Sequence, residues 1–335
     1  MPRLTLALDA MGGDFGPPVT VPAALAALSR FPNLHIQLFG DAVRLRQQLG
    51  RQPHERLDIC HAPEEVSMAD KPAQVLRSRR QSSMWLALEA VAEGRADGCV
   101  SAGNTGALMS MAKLLLKTLP GIERPALVAA LPTHCGGRVH MLDLGANVDC
   151  SAETLFQFAL MGHVKAQLVE GIARPRVALL NVGAEQVKGT EEVRQAARML
   201  GECRDLQYTG FIEGNDLFSG RADVIVCDGF VGNVCLKTGE GLTQFLIEEL
   251  KGSLKPRWLG KLVLPLLLPR VAKLLKTMNP DQYNGASLLG LRAIVVKSHG
   301  NADIPAFVNA IGEAVVEMQR QVPARIKDQL EAALL

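Results

Sequence analysis

The chain has 335 residues, a hydrophobic fraction of 48% and a formal net charge of +2. This length and composition suit one large α/β domain or two smaller ones. The low net charge argues against nucleic acid as a partner, and 4% aromatic residues provide little for base stacking. Seven dispersed cysteines without a C-x-x-C pair favour reduced thiols, and therefore a cytoplasmic protein, over a disulfide framework or a zinc site.

The first predicted element is a β-strand, LTLALD at 4–9, and not a signal peptide. Similar apolar runs, each followed by a Gly/Asn/Asp turn and a helical period, lie at 34–40, 56–62, 97–103, 176–183, 222–229 and 291–300. Strands that alternate with helices predict a three-layer α/β/α fold with a mostly parallel sheet. Runs at 126–131 and 138–145 predict a hairpin or a hinge in mid-chain.

The turns beside these strands are rich in glycine and polar residues. They lie at 9–17, 101–107, 143–149, 181–190, 210–216, 228–233 and 283–290. Ligands in open α/β sheets bind outside the carboxyl ends of strands, so we expect the turns to converge at one sheet edge as a shared polar cleft. Glycine backbone and the N–H groups at helix starts suit phosphate, although a single glycine turn is more often simple punctuation.

The common nucleotide, hydrolase and metalloprotease motifs are missing from the sequence. It contains no G-x-x-x-x-G-K-[ST], G-x-S-x-G or H-E-x-x-H. The only G-x-G, at Gly239 and Gly241, is followed by Gln244 where a dinucleotide fingerprint needs a small residue. We therefore predict neither a cofactor nor a metal site.

Lys188 and Asn233 are the predicted catalytic residues. Lys188 lies near a predicted helix start, where a cation opposes the helix dipole unless it serves an anion. The predicted substrate-binding residues are Asp9, Gly12, Gly13, Asn104, Thr105, Asn147, Gly183, Asp228, Gly232 and His299. Several have structural alternatives, because asparagine, threonine and aspartate are good helix caps and a lone histidine is often structural. Lys237 lies within the next helix and could point to solvent.

Seven motifs, in order, carry a family resemblance. They are LDAMGGDFGP, SAGNTGALM, LDLGAN, NVGAEQVKGT, GFIEGND, DGFVGNVCLKTGEG and NGASLLG. Together they closely resemble the PlsX family of bacterial phosphate acyltransferases from residue 8 to about residue 300. One departure is Asn284-Gly285, where the family usually has two glycines; asparagine tolerates left-handed conformations, so we expect the turn to survive.

The resemblance implies transfer of a fatty acyl group from acyl carrier protein to inorganic phosphate, which gives acyl phosphate. It also implies a fold similar to the isocitrate and isopropylmalate dehydrogenases, and a homodimer. It implies a cytoplasmic protein associated with the membrane, where a glycerol-phosphate acyltransferase would use the product. Phosphate is already a nucleophile at neutral pH, so the reaction needs anion positioning and an oxyanion site, for which glycine backbone, Asn233 and Lys188 are suited.

The domain prediction is one domain over 1–335 with a protruding helical basic and apolar segment at about 240–280. Within it, Lys251–Asn279 has seven Lys/Arg and no acidic residue. This composition favours binding to an anionic membrane surface, although dimer packing or contact with the acidic carrier protein would use the same residues. The alternative functions are a short-chain phosphotransacetylase that uses coenzyme A, a β-decarboxylating dehydrogenase, and a non-catalytic membrane-associated scaffold.

Overall fold

The computed structural model describes residues 3–50, 54–253 and 280–333. In these ranges one sheet has the order β3-β2-β1-β4-β11-β10-β5-β6-β9-β7-β8. Its strands are β1 Leu4–Asp9, β2 Leu34–Gly40, β3 Leu57–His61, β4 Gly98–Ser101, β5 Ala126–Pro132, β6 Arg138–Leu142, β7 Arg176–Leu180, β8 Gln207–Ile212, β9 Val224–Val226, β10 Ala286–Leu289 and β11 Ile294–Lys297. The predicted strand at 4–9 and the predicted hairpin of β5 and β6 are confirmed.

Helices cover both faces of this sheet. They are α1 Pro17–Arg30, α2 Ala42–Leu49, α3 Pro72–Ser78, α4 Ser83–Ala92, α5 Thr105–Leu116, α6 Ala152–Glu170, α7 Glu191–Glu202, α8 Gly229–Ser253, α9 Ile304–Arg320 and α10 Val322–Ala333. Alternate strand residues enter different cores: Leu6 and Leu8 pack with α1 and α9, whereas Ala7 packs with α4 and α5. The predicted three-layer α/β/α fold is confirmed. The apolar runs predicted it correctly because a strand that is buried on both faces needs apolar residues at consecutive positions.

The sheet consists of two parallel blocks that run in opposite directions. In the first block β3, β2, β1, β4 and β11 are parallel, and in the second block β6, β9, β7 and β8 are parallel. Three successive antiparallel pairings, β11 with β10, β10 with β5 and β5 with β6, separate them. The carboxyl ends of the two blocks therefore lie at opposite edges, and the expectation that all the turns converge at one edge is wrong.

Two strands lie in segments that the sequence pattern assigned to turns. β8 covers part of 210–216, and β10 covers part of 283–290. Both segments are short and contain glycine, which hid their strand character. The segment 254–279, with most of the basic and apolar stretch, lies outside the described residues. Within the described ranges no helix is long and apolar enough to cross a membrane.

Candidate functional site

At the first block, the turns after β1, β4 and β11 pack tightly on one another. A Cβ at Gly12 would lie 2.7 Å from the backbone nitrogen of Gly103, and one at Gly13 would lie 2.9 Å from the carbonyl oxygen of Gly300. Gly13 also has φ +89°, which disfavours a side chain. Close packing of three turns thus accounts for both glycines that the sequence assigned to substrate binding.

Asp9 and Asn104 also have structural work in this first block. The buried Asp9 carboxylate accepts hydrogen bonds from Ser83 Oγ and Ser101 Oγ, both at 2.6 Å, and burial raises its pKa. Asn104 Oδ1 accepts from the backbone N–H of Ala107 at 3.0 Å and so caps α5. Its Nδ2 donates to the carbonyl oxygens of Met68 and Asp70, so the capping alternative is the better description of Asn104.

At the opposite edge, Asp143 organises the turns after β6 and β9. Its Oδ2 accepts from the backbone N–H and Nδ2 of Asn147, at 2.6 and 2.9 Å, and the Asn147 carbonyl accepts from Gly229 N–H at 2.7 Å. A Cβ at Gly232 would lie only 1.8 Å from the Asp143 carbonyl oxygen, so this contact requires glycine. Asp228 Oδ1 accepts from Val231 N–H at 2.8 Å in the first turn of α8. These predicted substrate-binding residues hold the turns in place.

A cavity of about 370 Å³ connects the two edges. Helix α8 begins at the second-block edge and packs on β6, and its Glu240 reaches within 3.6 Å of His299 beyond β11. Gly145 and Asn233, which follow β6 and β9 of the second block, line the cavity together with Thr105 and His299, which follow β4 and β11 of the first block. The rest of the lining is largely apolar and includes Leu127, Ala129, Leu131, Pro132, Met141, Leu144, Leu217, Phe218, Leu236 and Tyr283. The opposed blocks thus meet through α8 and the strands between them.

The two predicted catalytic residues occupy different places. Asn233 lines the cavity, and its carboxamide has no hydrogen-bond partner among the described residues. Lys188 lies in the loop after β7, outside the cavity lining, with its Nζ 2.9 Å from Glu185 Oε1. That hydrogen bond raises the pKa of Lys188. Gly183 adjoins this pair, since a Cβ there would lie 2.5 Å from Lys188 Cδ.

Lys297, the last residue of β11, is a candidate functional residue that the sequence motifs did not indicate. It lines the cavity although only 8% of its surface is exposed, and its Nζ donates to the carbonyl oxygens of Ala102 and Ser298. Lys237, for which solvent was suggested, also lines the cavity and pairs with Glu240 at 2.8 Å. The signal for Lys297 was a lysine that ends an apolar strand, IVVK, directly before a polar turn.

Asn284, the departure from the family pattern, is a buried connector and not a left-handed turn residue. The positive φ, +124°, belongs to Gly285. Asn284 Nδ2 donates to Ser298 Oγ and to the Ala306 carbonyl, each at 2.8 Å, and its Oδ1 accepts from His299 N–H at 2.9 Å. Asn284 therefore does not need the left-handed conformation that asparagine tolerates, because Gly285 supplies the positive φ. Its side chain instead ties the loop after β11 to the start of β10 and of α9.

The fold is similar to that of solved phosphotransacylases. A phosphotransacetylase from Streptococcus pyogenes superposes with a TM-score of 0.64 at 17% identity, over 96% of this chain and 94% of that chain. A branched-chain phosphotransacylase from Enterococcus faecalis superposes with a TM-score of 0.58 at 15% identity, over 94% and 99% of the two chains. At these identities the likeness defines the fold class alone.

Sequence comparison defines the family. Residues 4–325 match the family described as "Fatty acid synthesis protein". Proteins named phosphate acyltransferase from Shewanella amazonensis and Shewanella sediminis are 56% and 54% identical, over 100% of this chain and 99% of each relative. The chain therefore belongs to the PlsX family of phosphate acyltransferases, and the resemblance seen in its seven motifs is confirmed.

Proposed function

We propose that the protein transfers a fatty acyl group from acyl carrier protein to inorganic phosphate and releases acyl phosphate. Membership of the family supports the class of reaction. The observation that carries the assignment is the cavity between the blocks, whose lining combines many apolar side chains with the polar residues Asn233, Thr105 and His299. An acyl chain suits the apolar part of the lining, and the polar residues suit the thioester carbonyl and the phosphate.

In this reaction an oxygen of phosphate attacks the thioester carbonyl carbon and forms a tetrahedral intermediate. Its collapse breaks the carbon–sulfur bond, and the departing thiolate takes up a proton. The Asn233 carboxamide, which has no hydrogen-bond partner in the described part of the chain, is suited to donate to the oxyanion that develops at the carbonyl. The proposal includes Lys188 because of its sequence motif alone. To contact a ligand in the cavity, the Lys188 side chain must first break its ion pair with Glu185.

The exposed side of α8 supports two further parts of the proposal, a homodimer and peripheral association with the membrane. Leu242, Phe245 and Leu246 are exposed at helical spacing, and a large exposed apolar stripe indicates an interaction surface. The basic segment Lys251–Asn279 follows directly in the sequence. In this proposal α8 pairs with a second copy and the segment contacts anionic lipid on the cytoplasmic side. There a membrane glycerol-phosphate acyltransferase would use the acyl phosphate.

Replacing Leu264, Leu266 and Leu268 with Glu should abolish sedimentation with anionic vesicles and leave the dimer intact. Unchanged sedimentation would contradict the proposed association with the membrane.

The function is tested by incubating the protein with palmitoyl carrier protein and phosphate and measuring palmitoyl phosphate by mass spectrometry. We expect product that depends on both substrates. Asn233→Ala should lower kcat by about 10²- to 10³-fold, the usual loss for one oxyanion donor. Asn215→Ala is the matched control, because Asn215 is exposed near the same sheet edge but does not line the cavity.

The same assay separates the alternatives. Turnover with short acyl-coenzyme A and none with acyl carrier protein would identify a phosphotransacetylase. Absence of acyl phosphate from every donor would favour the scaffold. EDTA should leave the rate unchanged, and inhibition that Mg²⁺ restores would contradict the expected metal-free reaction. Among the described residues, no group of three His, Cys, Asp or Glu side chains could hold a metal ion.

A further inference from the structure

Lys297 is a buried cation in the cavity lining, which also contains Asn233. Two of the three N–H groups of an ammonium are used by the carbonyl oxygens of Ala102 and Ser298. Both acceptors are neutral, and within the described ranges no carboxylate lies within ion-pair distance of Lys297 Nζ. The remaining N–H is therefore available to a ligand in the cavity.

The charged groups around Lys297 compensate its charge only in part. The Asp9 and Asp14 carboxylates, on and after β1, favour its charged form, whereas the Lys237 ammonium on α8 opposes it. Glu240 on α8 is paired with Lys237 and lies 3.6 Å from His299. Burial dominates and lowers the pKa of Lys297 to about 8, with Lys237 contributing in the same direction.

A buried ammonium without a carboxylate partner reduces the stability of a fold, so a site that keeps one needs another reason for it. A ligand anion is that reason, since it would supply the missing negative charge in a partly desolvated cavity. Lys237 is a poorer candidate for the same role because Glu240 already neutralises it and 57% of its side chain is exposed.

We propose that Lys297 binds the attacking inorganic phosphate in the part of the cavity lined by Thr105, Ser298 and His299. The inference rests on the proposed function and adds the residue that holds the nucleophile. The Lys297 ammonium then holds the phosphate oxygens, and the Asn233 carboxamide, which lines the same cavity, serves the thioester carbonyl. The bond that forms, between phosphate oxygen and acyl carbon, then lies between these two groups.

The first experiment compares Lys297→Met with the unmodified protein in the palmitoyl transfer assay. Methionine has similar length and no charge, so we expect the KM for phosphate to rise roughly 10- to 100-fold, as for the loss of a charged hydrogen bond. The KM for acyl carrier protein should stay within about twofold. Lys113→Met, an exposed lysine of α5 outside the cavity lining, should change neither constant.

A second experiment uses pH to distinguish binding from packing. Phosphate is largely the dianion above pH 8, so its own ionisation does not weaken binding there. We expect the KM for phosphate to rise as pH increases past about 8, where Lys297 loses its proton. Lys237→Met removes the opposing charge and should move this rise to higher pH, whereas Lys297→Met should lack it. A purely structural Lys297 would give none of these changes.

Direct binding of inorganic phosphate, measured by calorimetry, separates this inference from the proposed function. Loss of phosphate binding in Lys297→Met supports the inference even if no acyl phosphate forms with any donor. Active Lys297→Met with an unchanged KM for phosphate overturns the inference and leaves the proposed function intact. A raised KM for acyl carrier protein alone also overturns it, because the lysine would then serve an anion of the donor. If Lys297→Met does not fold, the pH response of Lys237→Met remains decisive. The inference is refuted if the alkaline rise in the KM for phosphate occurs at the same pH in Lys237→Met as in the unmodified protein.

Discussion

The protein buries two lysines in contrasting surroundings. Lys165 of α6 is fully buried, and its Nζ lies 2.7 Å from Glu313 Oε1, contacts Glu317 and donates to Ser287 Oγ at 2.8 Å. Burial alone would lower the pKa of Lys165, but the two carboxylates outweigh it and raise the pKa. Among the described residues the hydrogen-bond acceptors of Lys297 are carbonyl oxygens alone, and its pKa is lowered.

This difference separates a structural cation from a functional one. Glu313 and Glu317 of α9 supply Lys165 with more negative charge than it needs, so its ion cluster joins α6, α9 and β10 and needs no ligand. Lys297 faces the cavity, and no carboxylate in the described part of the chain forms an ion pair with it. Substitutions that alter one lysine at a time should therefore affect stability at the first site and ligand binding at the second.

Lys165→Met should have the largest effect on stability. It leaves two buried carboxylates without their cation, which typically costs about 3–5 kcal/mol of unfolding free energy. Urea denaturation would measure this loss. Adding Glu313→Gln and Glu317→Gln should recover much of it, because the uncompensated charge is removed. A small loss in the single variant would mean that water reaches the cluster and that the contrast with Lys297 is wrong.

The alkaline dependence of stability should single out Lys297. Below pH 8 the lysine is charged in the folded and unfolded states, so its contribution to stability is constant. Between about 8 and the ordinary value of 10.5 the unfolded chain binds more protons than the folded protein, and the free energy of unfolding rises with pH. The rise relative to Lys297→Met should be on the order of 3 kcal/mol. Equal pH dependence in both proteins would contradict the depressed pKa.

Asn284→Ala should have an intermediate effect in the part of the cavity that holds Lys297. The substitution removes the hydrogen bonds that the Asn284 amide donates to Ser298 and Ala306 and the one that it accepts from His299 N–H. This loss should lower the free energy of unfolding by about 1–3 kcal/mol. Thermal unfolding should show a lower Tm, and the KM for phosphate should rise because the loop beside Lys297 is less well held. Asn215→Ala, at an exposed asparagine outside the cavity lining, is the control. A lower Tm with an unchanged KM would limit Asn284 to a structural role.

The smallest effect is expected from Glu185→Gln, which frees the exposed Lys188. If Lys188 acts on a ligand, this variant should keep or modestly raise the rate, whereas Lys188→Ala should lower it by about 10²-fold. Neither change should shift the Tm, since exposed ion pairs contribute little to stability. Nearly normal turnover in Lys188→Ala would remove Lys188 from the mechanism and leave Lys297 as the cation that serves the phosphate.

Much of the fold could be predicted from local pattern. Apolar runs such as LTLALD and the hairpin at β5 and β6 correspond to observed strands, because burial on both faces demands uninterrupted apolar residues. The sequence pattern did not predict β8 and β10 in full, because glycine and polar residues interrupt them. Among the site residues, Asn233, Thr105 and His299 do line the cavity, whereas Lys188 lies outside its lining.

The sequence by itself determined the α/β class, the family and the glycine-rich turns, because periodicity and ordered motifs are properties of neighbouring residues. Only the tertiary structure decided which of those turns lie at each of the two edges of the sheet. Three antiparallel pairings reverse the second block, so residues that look equivalent along the chain lie at opposite edges. The structure also decided the contrast between Lys165 and Lys297, because the pKa of a buried lysine depends on the carboxylates that the fold brings to it. Lys165 has two, which are 148 and 152 residues away in the sequence. Lys297 has none within ion-pair distance among the described residues, and its pKa is lowered.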